Sequence, residues 1–103
     1  AEQELADAVA LLPQDSEAHL ALAQVYEAQG RHREAAAELE TSLKLGQSVI
    51  AHVLLARVYF SLAQPEAARD HGRAALSLDP NNREAQQLMN RIPQLPPGAG
   101  RKP

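Results

Sequence analysis

The chain of 103 residues has no cysteine and no tryptophan, and aromatic residues make up only 3% of it. Without cysteine there is no disulfide framework and no thiolate metal site. That absence fits the cytoplasm and the periplasm equally, so the compartment stays unassigned. With so few aromatics, the core has to be built from Leu, Val and Ala. No stretch approaches the ~18 apolar residues of a membrane helix, and no membrane insertion is expected. Neither sign of charge dominates. The formal net charge is -3, or -5 once Arg101 and Lys102 in the tail are set aside. No basic stripe rises above that balance, and nucleic acid is not expected as the partner. The chain opens on Ala1 in place of an initiator Met and shows no signal peptide, so a trimmed form or an excised fragment is expected. The remaining composition, 45% apolar and 22% charged, is ordinary for one globular domain.

What is present is a repeat. Leu12 returns as Leu45 and again as Leu78 at one constant interval. The same interval separates His19 from His52, Leu22 from Leu55, Ala23 from Ala56, and Tyr26 from Tyr59. A fixed period of this size, about 33 residues, marks stacked supersecondary units. Each unit buries its apolar face on its neighbours in place of one central core.

Six helices are expected within that period. Residues 1–12 place Leu5, Val9 and Leu12 at helical spacing, and Pro13 stops the run. Asp15 or Ser16 can cap a second helix that Gly30 ends near residue 29. A third spans about 32 to 45 before Gly46, and Ser48 can cap a fourth over about 49 to 62. Pro65 suits the first turn of a fifth, about 65 to 78. The turn Asp79-Pro80-Asn81-Asn82 precedes a sixth, about 83 to 92. Short connections make successive helices antiparallel neighbours. Ala23, Ala35, Ala56, Ala68 and Ala75 are small enough to let their axes approach closely. From Pro93 onward the chain is Pro- and Gly-rich with little to bury, and a disordered tail is expected over 93–103.

The pattern resembles the tetratricopeptide repeat family, whose 34-residue unit reads W-x2-L-G-x2-Y, then A-x3-F, then P. One unit has His19-x2-Leu22-Ala23-x2-Tyr26, Ala35-x3-Leu39 and Ser42; the next has His52-x2-Leu55-Ala56-x2-Tyr59, Ala68-x3-Gly72, Ala75 and Pro80. The opening segment reads as a second half-unit, with Ala1, Leu5, Ala8 and Pro13. The resemblance implies an all-α, right-handed superhelical stack of antiparallel helix pairs. Its parts are a half repeat at 1–15, repeats at 16–48 and 49–82, and a capping helix at 83–92. Three departures stand out. His takes the Trp position twice. Gln47 occupies a proline slot in a connection one residue short. Gly72 replaces the bulky residue that plugs the space between helices, so Met89 or Phe60 is expected to fill it.

The resemblance also implies that the first helix of each unit lines a concave groove. The groove positions are then Glu17, Leu20, Gln24, Glu27 and Ala28 in one unit, and Ile50, Val53, Arg57, Phe60 and Ser61 in the next. Glu84, Gln87 and Arg91 follow on the last helix. The candidate partner-binding residues are Leu20, Gln24, Glu27, Val53, Arg57, Phe60, Gln87 and Arg91. Arg57 and Arg91 share a register. The favoured expectation is that they are solvated or pair with Glu27 and Glu84; the rival is that they clamp a carboxylate. The Lys and Asn set with which some family members grip a C-terminal carboxylate is absent. His19 and His52 are expected at a helix interface, with no carboxylate placed with them, and His32 and His71 in surface registers. No Ser-His-Asp order, phosphate loop or carboxylate pair assembles. Pro93-x-x-Pro96 is a minimal polyproline match.

The leading expectation is a protein–protein interaction module that binds a peptide or protein segment in the groove and scaffolds an assembly, with no catalysis and no cofactor. The alternatives are a purely structural or oligomerising segment of a larger polypeptide, or an accessory domain of an enzyme outside this chain. Beginning in mid-unit, the first helix presents Leu5 and Val9 without the usual partner, and a weak homodimer through that helix is expected.

Overall fold

The structure, a computed structural model, describes residues 2–12 and 14–92. Pro13, the expected tail at 93–103 and the Pro93-x-x-Pro96 match lie outside the described residues. Six helices follow one another: α1 (Glu2–Leu11), α2 (Ser16–Ala28), α3 (His32–Leu45), α4 (Val49–Ser61), α5 (Pro65–Leu78) and α6 (Arg83–Arg91). No strand occurs among the described residues, and none of these helices is long and apolar enough to cross a membrane.

Local chemistry sets the limits of each helix. Asp15 caps α2, its carboxylate accepting from the Glu17 amide at 3.0 Å. Ser48 caps α4 by accepting from the Ala51 amide, and Asn82 caps α6 by accepting from the Ala85 amide. Pro65 opens α5 at a position where its missing N–H costs nothing. The chain leaves α2 through Gly30 at φ +77°. There Gly30 N–H donates to the Glu27 carbonyl and Arg31 N–H to the Tyr26 carbonyl, the pair of bonds that closes a helix through a left-handed residue. The same pair recurs one repeat later, from Ala63 to Phe60 and from Gln64 to Tyr59, with Ala63 at φ +60°.

Packing is sequential. The hairpins α2–α3 and α4–α5 are the most extensive contacts, α3 packs on α4, α1 lies on α2, and α6 lies on α5 and touches α4. The stack is elongated, 45 × 29 × 21 Å. The alanines expected to permit close approach, Ala23, Ala35, Ala56, Ala68 and Ala75, are all fully buried. Leu39, Leu54, Leu55 and Val58 interlock around Ala23, Ala35, Ala36 and Ala51 between α2, α3 and α4. A second cluster joins Val53, Ala56, Ala68, Ala75, Ala85, Leu88 and Ile92 between α4, α5 and α6. α4 feeds both clusters, with Ala51 to Ala56 and Val58 all buried.

Three details extend or correct the expectations. Met89 takes the space beside Gly72: a Cβ built there would lie 2.5 Å from its Sδ. Ser42, in the family's small-residue position, ties α3 to the start of α2 by donating to the Ser16 carbonyl at 2.8 Å. On α1, Leu5 and Val9 are half-buried; the exposed leucines are Leu11 and Leu12 at its end, 80% and 57% exposed.

Candidate partner-binding groove

The first helices of successive hairpins, α2 and α4, and the last helix α6 bring Glu27, Arg57 and Glu84 together. Arg57 donates from Nε and one terminal nitrogen to the two oxygens of Glu27, at 2.7 and 2.9 Å. Its other terminal nitrogen donates to Glu84 at 2.6 Å. The planar guanidinium matches a carboxylate in this two-pronged way, which fixes orientation as well as charge. The hydrogen bond with Glu27 is the main cause that raises Arg57 above its already high ordinary value, and burial opposes it. The ion-pairing alternative therefore describes Arg57. Arg91 sits instead over the face of Phe60, 5.8 Å from the ring centre, a distance at which a cation is attracted to the ring.

The Arg57–Glu84 bridge separates two hollows. One, of about 220 Å³, is lined by Gln24, Ile50, Val53, Leu54, Arg57, Asn82 and Glu84. Its floor is apolar, with Val53 and Leu54 buried and Ile50 55% exposed at the rim. The other, of about 430 Å³, is lined by Arg57, Arg83, Glu84, Gln87, Leu88 and Arg91. Among the eight candidates, Gln24, Val53, Arg57, Gln87 and Arg91 line these hollows. Glu27 holds Arg57 in place. Leu20 and Phe60 lean on the two core clusters. Arg83 was missed, although its four-residue spacing to Gln87 and Arg91 puts all three on one face of α6. Leu54 and Leu88 were also missed; both are buried and reach the hollows from the core side.

The histidines correct the sequence reading. His19 does face a carboxylate: its Nδ1 lies 2.6 Å from Glu38 Oε1. His71 is not a surface residue without pattern. Its Nδ1 lies 3.0 Å from His52 Nδ1, its ring stacks on Tyr59 at 5.6 Å between centres, and its Nε2 is 3.6 Å from Glu40. The Tyr59 hydroxyl donates to the same Glu40 oxygen at 2.7 Å. Among the described residues, no group of three or more His, Cys, Asp or Glu side chains is arranged to hold a metal ion.

A comparison with curated proteins found no match. A tetratricopeptide repeat family model matches residues 1–48 and, in an overlapping frame, residues 20–83. Two overlapping frames on one chain are what successive displaced repeats produce, and they span α1 to the start of α6. The chain belongs to the tetratricopeptide repeat family.

Proposed function

We propose that this chain binds a peptide or protein segment in the groove of α2, α4 and α6 and thereby scaffolds an assembly. Tetratricopeptide repeats mediate protein–protein interactions, and the family is typically non-catalytic. The observation that carries the finer reading is the Arg57 bridge, which sets a hollow with an apolar floor and a polar rim beside a cationic one. Among the described residues, neither Arg83 nor Arg91 is ion-paired with a carboxylate. An aliphatic side chain of the partner would sit over Ile50, Val53 and Leu54. An acidic side chain would then reach Arg83 and Arg91, with Gln24 and Gln87 left for backbone groups. The proposed units are the half repeat 1–15, the repeats 16–48 and 49–82, and the capping helix 83–92.

Selection from a displayed random-peptide library, followed by affinity measurement, tests this. Enriched peptides should pair aliphatic with acidic residues, and Arg91→Glu or Phe60→Ala should weaken them at least about tenfold, or roughly 1.4 kcal/mol. Thermal midpoints measured in parallel separate lost binding from lost fold. Binding unchanged by Arg57→Ala, Phe60→Ala and Arg91→Glu would sink the proposal.

One observation favours a second reading, association through the N-terminal helix. Leu11 and Leu12, with Gln14 and Asp15, line a mainly apolar hollow of about 400 Å³. Burying one such side chain contributes roughly 1.5–3 kcal/mol, so two per chain support only a weak dimer. Sedimentation over a concentration series, with Leu11→Glu as control, distinguishes dimer from monomer.

A further inference from the structure

His52 and His71 meet where α3, α4 and α5 come together. Their separation along the chain equals that of His19 and Glu38 in the preceding hairpin, and each partner is displaced by one repeat from its counterpart. The two pairs occupy one structural position. In the α2–α3 hairpin the imidazole faces a carboxylate. In the α4–α5 hairpin it faces a second imidazole, with the ring centres 5.2 Å apart.

The hydrogen-bond pattern assigns the protons. Gln47 Oε1 can only accept, so His52 Nε2, 3.0 Å away, carries a hydrogen. In the neutral ring Nδ1 of His52 is then bare, and it accepts from Nδ1–H of His71. His71 Nε2 faces Glu40, which also accepts from Tyr59. A proton added at Nε2 of His71 meets a carboxylate and leaves every bond in place. A second proton has only Nδ1 of His52 to occupy. It would set two N–H groups head to head at 3.0 Å and place two cations side by side. His52 is only 8% exposed, so little water is at hand to solvate the added charge.

We infer that the His52–His71 contact is an acid-triggered release: protonation of both rings parts α4 from α5 within their hairpin, while the His19–Glu38 contact keeps α2 and α3 closed. A proton on His19 makes its bond to Glu38 charge-assisted and stronger, so acid affects the two hairpins oppositely. The groups that face the His52–His71 pair are Glu40 from α3, Gln47 from the α3–α4 turn and Tyr59 on α4 itself. Of the other helices against α4, α2 directs Glu27 and α6 directs Glu84 to Arg57. Burial first, and His71 second, hold His52 below the ordinary histidine range, and Glu40 opposes them. Because α4 also supplies Val53, Arg57 and Phe60, release loosens one wall of the groove whatever occupies it.

Two measurements on the unaltered chain test this: an NMR titration of the imidazole resonances, and amide hydrogen exchange corrected for intrinsic rate at about pH 7.5 and about pH 5, either side of the ordinary histidine value. The pair should titrate in two separate steps, the second below the ordinary range. On acidification, protection should fall in α4 and α5 and hold in α2 and α3. His71→Glu, which installs the His–Glu pair of the first hairpin, should abolish that fall. Both rings titrating in one ordinary step, or an equal loss of protection in the two hairpins, would overturn the inference.

Discussion

Gly30 and Ala63 are the same residue position one repeat apart, and both carry the left-handed conformation that closes a helix. Glycine adopts it without penalty, whereas an L side chain costs roughly 1–2 kcal/mol there. A Cβ at Gly30 would meet nothing within 4 Å, so the backbone alone decides the matter. Ala63→Gly is therefore expected to stabilise the chain. The gain is about 0.5–1 kcal/mol, because glycine's greater freedom in the unfolded chain offsets part of the relieved strain. Gly30→Ala should destabilise by a similar amount. Urea denaturation of both variants checks the pair, and a loss of stability in Ala63→Gly would contradict the strain argument. Nothing in the sequence around Ala63 announces a left-handed residue. Its conformation follows from the hairpin on either side, which uses the same connection as Gly30 and bends the alanine to fit.

At the scale of an element, α6 docks against the smooth face that Ala68, Gly72 and Ala75 give α5, with Met89 filling the space over Gly72. Gly72→Ala would improve helix propensity by about 0.5–1 kcal/mol. It would also drive a Cβ to 2.5 Å from Sδ and 3.2 Å from Cγ of Met89, and overpacking costs about 1–3 kcal/mol. The clash wins, and a net loss of about 1 kcal/mol is expected. Met89→Ala alone should also destabilise, by opening a gap, but the two together should lose less than their sum. A double-mutant cycle measures that coupling; strict additivity would mean that Met89 swings aside at no cost. The limits of the helices were legible because their punctuation is local, as at Asp15, Gly30, Ser48, Pro65 and Asn82. Glu27 and Glu84 were legible as partners of Arg57 because all three fall at groove positions on one wall. His71 was not. One helix's period puts it toward solvent, and only the packing of α5 against both α3 and α4 brings Glu40, His52 and Tyr59 around it.

Across the whole molecule, the stack has no single centre, yet α4 belongs to both core clusters and Glu40 ties α3 to it through Tyr59. This junction makes stability depend on pH from both sides. His52 is held below its ordinary value of 6.5, so the folded chain binds its proton less readily than the unfolded chain does. The stability from that site is present above about pH 6.5 and is lost as pH falls below it. Tyr59 works in the other direction. Burial first, then the hydrogen bond to Glu40, push its hydroxyl from 10.0 up to about 12. The unfolded chain therefore releases the proton while the folded chain still holds it. That contribution is present below pH 10 and is lost as pH rises toward about 12. Tyr59→Phe should lower stability at neutral pH by about 0.5–1.5 kcal/mol through the missing hydrogen bond, and flatten the alkaline limb. Urea midpoints from neutral to strongly alkaline pH, for both chains, give the comparison. In a Tyr26→Phe background, tyrosinate absorbance reports Tyr59 alone, and it should appear together with loss of helix. Tyrosinate formation well before unfolding, or an alkaline limb unchanged in Tyr59→Phe, would show that the Glu40–Tyr59 contact does not hold the α3–α4 junction together.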